Sequence, residues 1–140
     1  MAGAPLDALA RVPLFADLKP DELQQVSLLF KERHFAAGET VVKEGSDGAA
    51  FFLIVEGEAA VSVHGKERAG LRAGDHFGEI ALIDEGVRAA TITAITDLVC
   101  YGLTLWEFRP LVIENGAIGW TLLQSLAKLL RGELARALDE

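Results

Sequence analysis

Positive charge, which a nucleic-acid surface requires, is scarce in this chain. Its 140 residues include 13 Lys and Arg against 21 Asp and Glu, a formal net charge of −8. The basic residues are scattered, so a DNA or RNA backbone finds no clustered cations to meet. A single phosphate remains within reach, because it needs only one well-placed cation and a few backbone amides. The one cysteine, Cys100, excludes an internal disulfide and suits a reducing compartment. Its neighbours Leu98, Val99 and Tyr101 predict a buried structural thiol. Long hydrophobic runs are also missing. The longest, Ala49 to Val55, falls far short of the roughly 20 residues of a spanning helix, so no membrane span is expected. The first turns carry Asp7, Arg11 and Asp17 with no continuous apolar region, which excludes a secretory signal and predicts a cytoplasmic protein.

The usual marks of catalysis are absent too. His34, His64 and His76 are dispersed and lack ligand spacing, so no metal site is expected. Ser27, Ser46, Ser62 and Ser125 stand outside any nucleophile elbow, and no loop has Walker form. A hydrolase such as a phosphodiesterase would need a metal cluster or an activated water. The chain is therefore expected not to be an enzyme and to carry no cofactor.

What is present is enough for one compact unit with a real core. The sequence shows no internal repeat and no flexible linker, so residues 1–140 are expected to form a single domain: N-terminal helices over 1–33, a β-barrel over 34–103 and C-terminal helices over 104–138. Leu23, Val26, Leu29 and Phe30 give Asp21–Phe30 a one-sided helical spacing, with Pro20 near its start. Leu6, Leu9 and Val12–Phe15 suggest a further short helix or turn on the same core.

From His34 to Leu103 the chain reads as short strands punctuated by glycine. Thr40–Val42 suits a pleated surface, Gly45–Gly48 a turn, and Phe51–Val55 a buried strand. Glu56-Gly57 turns into Ala59–Val63, His64-Gly65-Lys66 turns again, and Arg88–Ile95 and Leu98–Leu103 supply later strands. Short strands at this spacing predict a mostly β fold, an antiparallel jelly roll or barrel with flanking helices. Thr104-Leu105-Trp106-Glu107 is a capping-box sequence that opens a helix, which Pro110 should kink or end. A longer helix from about Ala117 to Ala137 carries leucines at 122, 126, 130, 134 and 138, a stripe expected to face the core first. Its breadth, with Leu123 and Leu129, hints at a second role. Trp106 and Trp120 read as packing residues.

The stretch Gly74 to Thr91 carries the chemistry. Gly78 admits close backbone approach, Ala81, Ala89 and Ala90 leave amides accessible, and Arg88 is a lone guanidinium where a strand should begin. Together they form an anion cradle. Glu79 fits such a loop if the ligand also presents hydroxyl donors, as a ribose does. Asp84 and Glu85 are expected to point to solvent.

This stretch resembles the phosphate-binding cassette of the cyclic-nucleotide-binding domain family, which includes catabolite-type regulators and regulatory subunits of cAMP-dependent kinase. Ala37-Gly38-Glu39, Glu44-Gly45-Ser46-x-Gly48, Phe51-Phe52-x-Ile54-x-x-Gly57 and Gly74-Asp75-x-Phe77-Gly78-Glu79 fall in the family's order, and the likeness runs from about Phe15 to Leu130. The resemblance implies that Arg88 pairs with the exocyclic phosphate oxygens and Glu79 accepts from the ribose 2′-hydroxyl. Gly78 and the amides of Ile80, Ala81 and Ala89 complete the cradle, and Val61 and Phe77 form apolar walls. Family members with Thr or Ser after the arginine favour cGMP, so Ala89 implies cAMP, with cGMP as the lesser ligand. The C-terminal helix would form a lid over the base, and its apolar face would serve a homodimer or a protein partner. Only a few residues follow Leu134, so an appended helix-turn-helix is not expected, and Met1 favours a stand-alone sensor. The alternative function is an interaction scaffold of the same fold that no longer binds nucleotide.

Overall fold

The computed structural model describes residues 3–48, 50–84 and 86–139, with Ile80 described by its backbone alone. Glu85, an expected solvent-facing acid, lies outside these residues. Two short helices come first, α1 (Leu6–Ala10) and α2 (Pro20–Ser27). Glu22 Oε1 accepts from the Lys19 amide at 2.9 Å, which closes the first turn of α2.

Among the described residues ten strands follow: β1 (Lys31–Phe35), β2 (Thr40–Val42), β3 (Asp47–Gly48), β4 (Ala50–Glu56), β5 (Glu58–Val63), β6 (Lys66–Arg72), β7 (His76–Phe77), β8 (Gly86–Val87), β9 (Thr91–Ala94) and β10 (Leu98–Thr104). A 3-10 helix, Glu79–Leu82, lies between β7 and β8, and α3 (Leu105–Glu114) and α4 (Gly116–Asp139) close the chain. The strands form two antiparallel four-stranded sheets, ordered β1-β10-β4-β7 and β2-β9-β5-β6, with a small β3-β8 ribbon. The expected mostly β architecture with flanking helices is the one observed.

Strand β4 explains where the core sits. Successive side chains on a strand point to opposite faces. Phe51 and Leu53 join the cluster shared with the helices, while Phe52 and Ile54 join the cluster with Ala59, Ile92 and Ala94 of the second sheet. Burial on both faces is why this segment reads as a continuous apolar run rather than an alternating one. Phe15 anchors the helical side, meeting Phe30, Phe51 and Phe108 edge-to-face at ring-centroid distances of 6.5, 5.9 and 6.2 Å. Cys100 is fully buried between the sheets, and burial pushes its thiol up to about 11. It is a packing residue, as expected.

Several boundaries differ from the sequence reading. Strand pairing begins at Lys31 rather than His34, and β6 was not anticipated. Both are edge strands whose charged, exposed residues carry no apolar alternation. The Arg88–Ile95 segment starts its strand only at Thr91. The capping box at Thr104 and Glu107 forms as predicted: Thr104 Oγ1 accepts from the Glu107 amide at 3.3 Å, and Glu107 Oε1 accepts from the Thr104 amide at 3.2 Å. Pro110 does not end α3. Its missing N–H costs α3 one bond, to the Trp106 carbonyl in the first turn, and the helix continues to Glu114.

The leucine stripe of α4 faces the core over only part of its length. Leu122 is buried and Leu126 packs on the helical cluster, but Leu130, Leu134 and Leu138 are exposed, Leu130 on the edge of an open hollow rather than in closed core. Trp106 and Trp120, expected to pack, are also exposed, at 61% and 64%. Among the described residues, no helix is long and apolar enough to cross a membrane.

Candidate functional site

The cassette is shaped by its glycines and by the β3-β8 ribbon. Gly78 follows β7 with φ +91°, a left-handed conformation that turns the chain into the 3-10 helix carrying Glu79. On the other side, the Arg88 amide donates to the Ser46 carbonyl and the Gly45 amide donates to the Arg88 carbonyl, each at 2.8 Å. These bonds continue the ribbon pairing of Asp47 with Val87 and Gly48 with Gly86. The Arg88 backbone is therefore clamped before its side chain does anything.

The guanidinium is placed by contact as well. Its Nη2 donates to the Ala50 carbonyl at 2.7 Å. A Cβ on Gly48 would overlap Nε, and a Cβ on Gly78 would lie 2.8 Å from Nη1. Two bare backbones thus hold a cation between them, a role for Gly48 beyond the turn and the family pattern in which the sequence places it. Burial lowers the Arg88 pKa, as expected for a charge partly withdrawn from water, yet an arginine side chain stays protonated.

Arg88 and Glu79 do not clasp each other: both line one open cavity of about 450 Å³. That volume falls within the roughly 300–1,000 Å³ of small-molecule sites. Phe77, Gly78, Ala81 and Ala89 line it too, as the sequence suggested. Phe77 stacks on Phe52 at 5.3 Å, so this wall is fixed from behind. Val42, Ala90 and Ile92 add apolar wall that sequence reasoning did not single out. The available signal was the β-branched character of Thr40–Val42 and Thr91–Thr93, which names strands but not the face they present.

Other expectations need adjustment. Val61 stands on β5 opposite Ile92, on the same sheet face, and packs half-buried on the inter-sheet core behind the residues that line the cavity. The Ala81 amide donates to the Gly78 carbonyl at 3.0 Å and so is committed within the 3-10 turn. Ile80 contributes its backbone to the same helix. Asp84 is exposed, but it sits on the cavity rim rather than away from it.

Glu79 is half-buried and its Oε2 lies 3.2 Å from His76 Nδ1. Burial by itself would raise its pKa, but the His76 interaction and its own backbone amide outweigh this and leave it below the ordinary glutamate value. The carboxylate is ionised at neutral pH and accepts hydrogen bonds only. A fixed cation and a fixed acceptor facing one small cavity suit a ligand that is anionic at one point and hydroxylated at another.

The profile of the cyclic nucleotide-binding domain matches residues 32–115. The chain belongs to the cyclic nucleotide-binding domain family. It is 40% identical over 111 residues to a "cAMP-dependent protein kinase regulatory subunit" of Emericella nidulans, a match covering 76% of this chain and 27% of that protein. It is 37% identical over 95 residues to a "cGMP-dependent protein kinase" of Toxoplasma gondii, covering 68% of this chain and 10% of that one. The chain thus spans about a quarter or less of the length of these curated relatives. Among solved structures, the N-terminal domain of a transcriptional regulator from Streptomyces coelicolor A3(2) is similar with TM-score 0.82 and 30% identity, covering 91% of this chain and 94% of that one. The Thermus thermophilus catabolite activator protein gives TM-score 0.70 and 31% identity over 91% of this chain and 62% of that one. A structure described as cAMP-bound PfPKA-R gives TM-score 0.67 and 30% identity, over 89% and 45% of the two chains.

Among the described residues no group of three His, Cys, Asp or Glu side chains is arranged to hold a metal ion.

Proposed function

We propose that this domain is a cyclic-nucleotide sensor that prefers cAMP and performs no chemistry on it. The observation that carries the reading is the shared cavity faced by Arg88 and Glu79, with Gly48 and Gly78 bare enough to let the guanidinium pack against their backbones. In this reading Arg88 meets the cyclic phosphate and Glu79 accepts from the ribose 2′-hydroxyl. Gly78 and the amides of Ile80 and Ala89 line the phosphate's approach, while Phe77, Val42 and Ile92 supply apolar wall. A cytosolic setting suits the lone, buried thiol.

The preference for cAMP rests on Ala89, which stands on the cavity wall and offers no hydroxyl to a guanine amino group. Calorimetric titration with cAMP, cGMP and linear AMP tests it. Cyclic AMP should bind tightest and linear AMP weakest. Tighter cGMP binding overturns the base preference, and an absence of binding by either cyclic nucleotide supports the scaffold function instead.

The report of occupancy passes through α4. Glu79 lines the ligand cavity and also a second hollow of about 460 Å³, bounded by Leu14, Ile83 and the α4 residues Leu126, Leu129 and Leu130. A ligand that draws on Glu79 therefore acts on the wall against which the distal half of α4 can close, and closure shifts a two-state equilibrium by differential affinity. The exposed Leu134 and Leu138 extend the same helix as a surface for a second copy or a partner helix. Amide exchange in α4 beyond Leu126 should slow when cAMP is added. Unchanged protection there, with saturating ligand, removes the helix from the mechanism.

A further inference from the structure

His76 is left without a role by the cyclic-nucleotide reading. It stands on β7, opposite Leu53, beside Phe77. Because neighbouring strand residues face opposite sides, Phe77 turns to the ligand cavity while the His76 ring lies against Phe51, at 5.7 Å between centroids. The side chain is 23% exposed, but its Nδ1 is closed off from solvent and has no aligned hydrogen-bond partner among the described residues. Burying a polar nitrogen in this way costs free energy unless a partner is supplied. The Gly78 turn supplies a candidate: it brings Glu79 Oε2 back to 3.2 Å from Nδ1, off the line of a well-directed bond. A modest rotation of the carboxylate aligns the pair.

We infer that His76 is a positioning residue for the ribose contact: its Nδ1–H holds one oxygen of Glu79 so that the other faces the cavity to accept the ligand's 2′-hydroxyl. The inference rests on the cyclic-nucleotide reading and deepens it. A free carboxylate on a two-carbon stem samples several rotamers, and ordering it costs entropy at each binding event. His76 pays that cost in advance, because its ring is already fixed against Phe51. Without the imidazole, Glu79 keeps its charge but loses its direction.

The consequence is specific to one hydroxyl. His76→Leu should weaken cAMP binding by about tenfold, the scale of one hydrogen bond to a charged group at its lower end. Its affinity for 2′-deoxy-cAMP should match that of the unaltered protein within about twofold, since there is no hydroxyl for Glu79 to receive. His76→Asn, whose amide nitrogen can stand where Nδ1 stands, should restore most of the cAMP affinity. Calorimetry of the three proteins with both nucleotides gives the full comparison, and NMR titration of the Glu79 carboxyl should show its midpoint rising in His76→Leu. An equal loss for both nucleotides in His76→Leu makes the residue merely structural and overturns the inference, as does no loss for either. If the unaltered protein binds neither nucleotide, the cyclic-nucleotide reading fails and this inference with it. If it binds both and only the His76→Leu pattern fails, the reading stands alone.

Discussion

Arg88→Ala should lower the affinity for cAMP by about ten- to a hundredfold or more, the scale of a charge-assisted contact made largely out of water. The guanidinium is half-buried, bonded to the Ala50 carbonyl, and flanked by two glycines that leave no other side chain able to take its place. The net charge of −8 sharpens the effect, because the ligand's negative charge then approaches an acidic protein without the guanidinium to meet it. Arg88→Lys should recover only part of the loss. A lysine keeps the charge but lacks the planar fork that can bond Ala50 and phosphate together. Losing the Ala50 bond costs about 0.5–1.5 kcal/mol of stability in the absence of ligand, so a thermal melt separates the two contributions. Wild-type affinity in a well-folded Arg88→Ala protein removes Arg88 from the site.

Gly78→Ala should be nearly as damaging to binding and more damaging to the fold. At φ +91° an alanine carries backbone strain of about 1–3 kcal/mol. Its Cβ would stand 2.6 Å from the Ala50 carbonyl oxygen and 2.8 Å from Arg88 Nη1. The carbonyl belongs to β4 and cannot yield easily, so the new methyl displaces either the cassette or the guanidinium. Two comparisons isolate the cause. Gly38→Ala, with φ +88° and no neighbour within 4 Å of the new Cβ, imposes strain away from the cavity and should lower the melting temperature without changing cAMP affinity. Gly48→Ala, where the obstructed neighbour is the Arg88 side chain itself, should weaken binding with a smaller loss of stability. A Gly78→Ala protein that binds and melts like the unaltered one shows that the Ala50–Arg88 arrangement is not needed.

Arg88 was legible as a cation in an anion cradle from its glycine and alanine neighbours, whereas its pairing with Glu79 came from the resemblance of this stretch to the family's phosphate-binding cassette. Gly48 was harder. It lies 40 residues before Arg88, in a segment that looks like a plain turn, and only the β3-β8 pairing brings it under the Arg88 side chain. His76 is a similar case: one of three scattered histidines in the sequence, it acquires meaning only when the Gly78 turn folds Glu79 back toward its Nδ1. The charged edge strands β1 and β6 escaped the reading because an edge strand lies open to solvent and carries no apolar signature.

By itself the sequence determined the fold class, the two-sided burial of Phe51–Ile54, the start of α3 and the stretch that carries Gly78, Glu79 and Arg88 to one cavity. Each depends on local spacing, which a linear chain displays directly. Tertiary structure alone decided which walls enclose the cavity and which leucines of α4 stay exposed. These outcomes depend on which sheet face meets which neighbour, and long-range pairing sets that over sequence separations that no periodicity records.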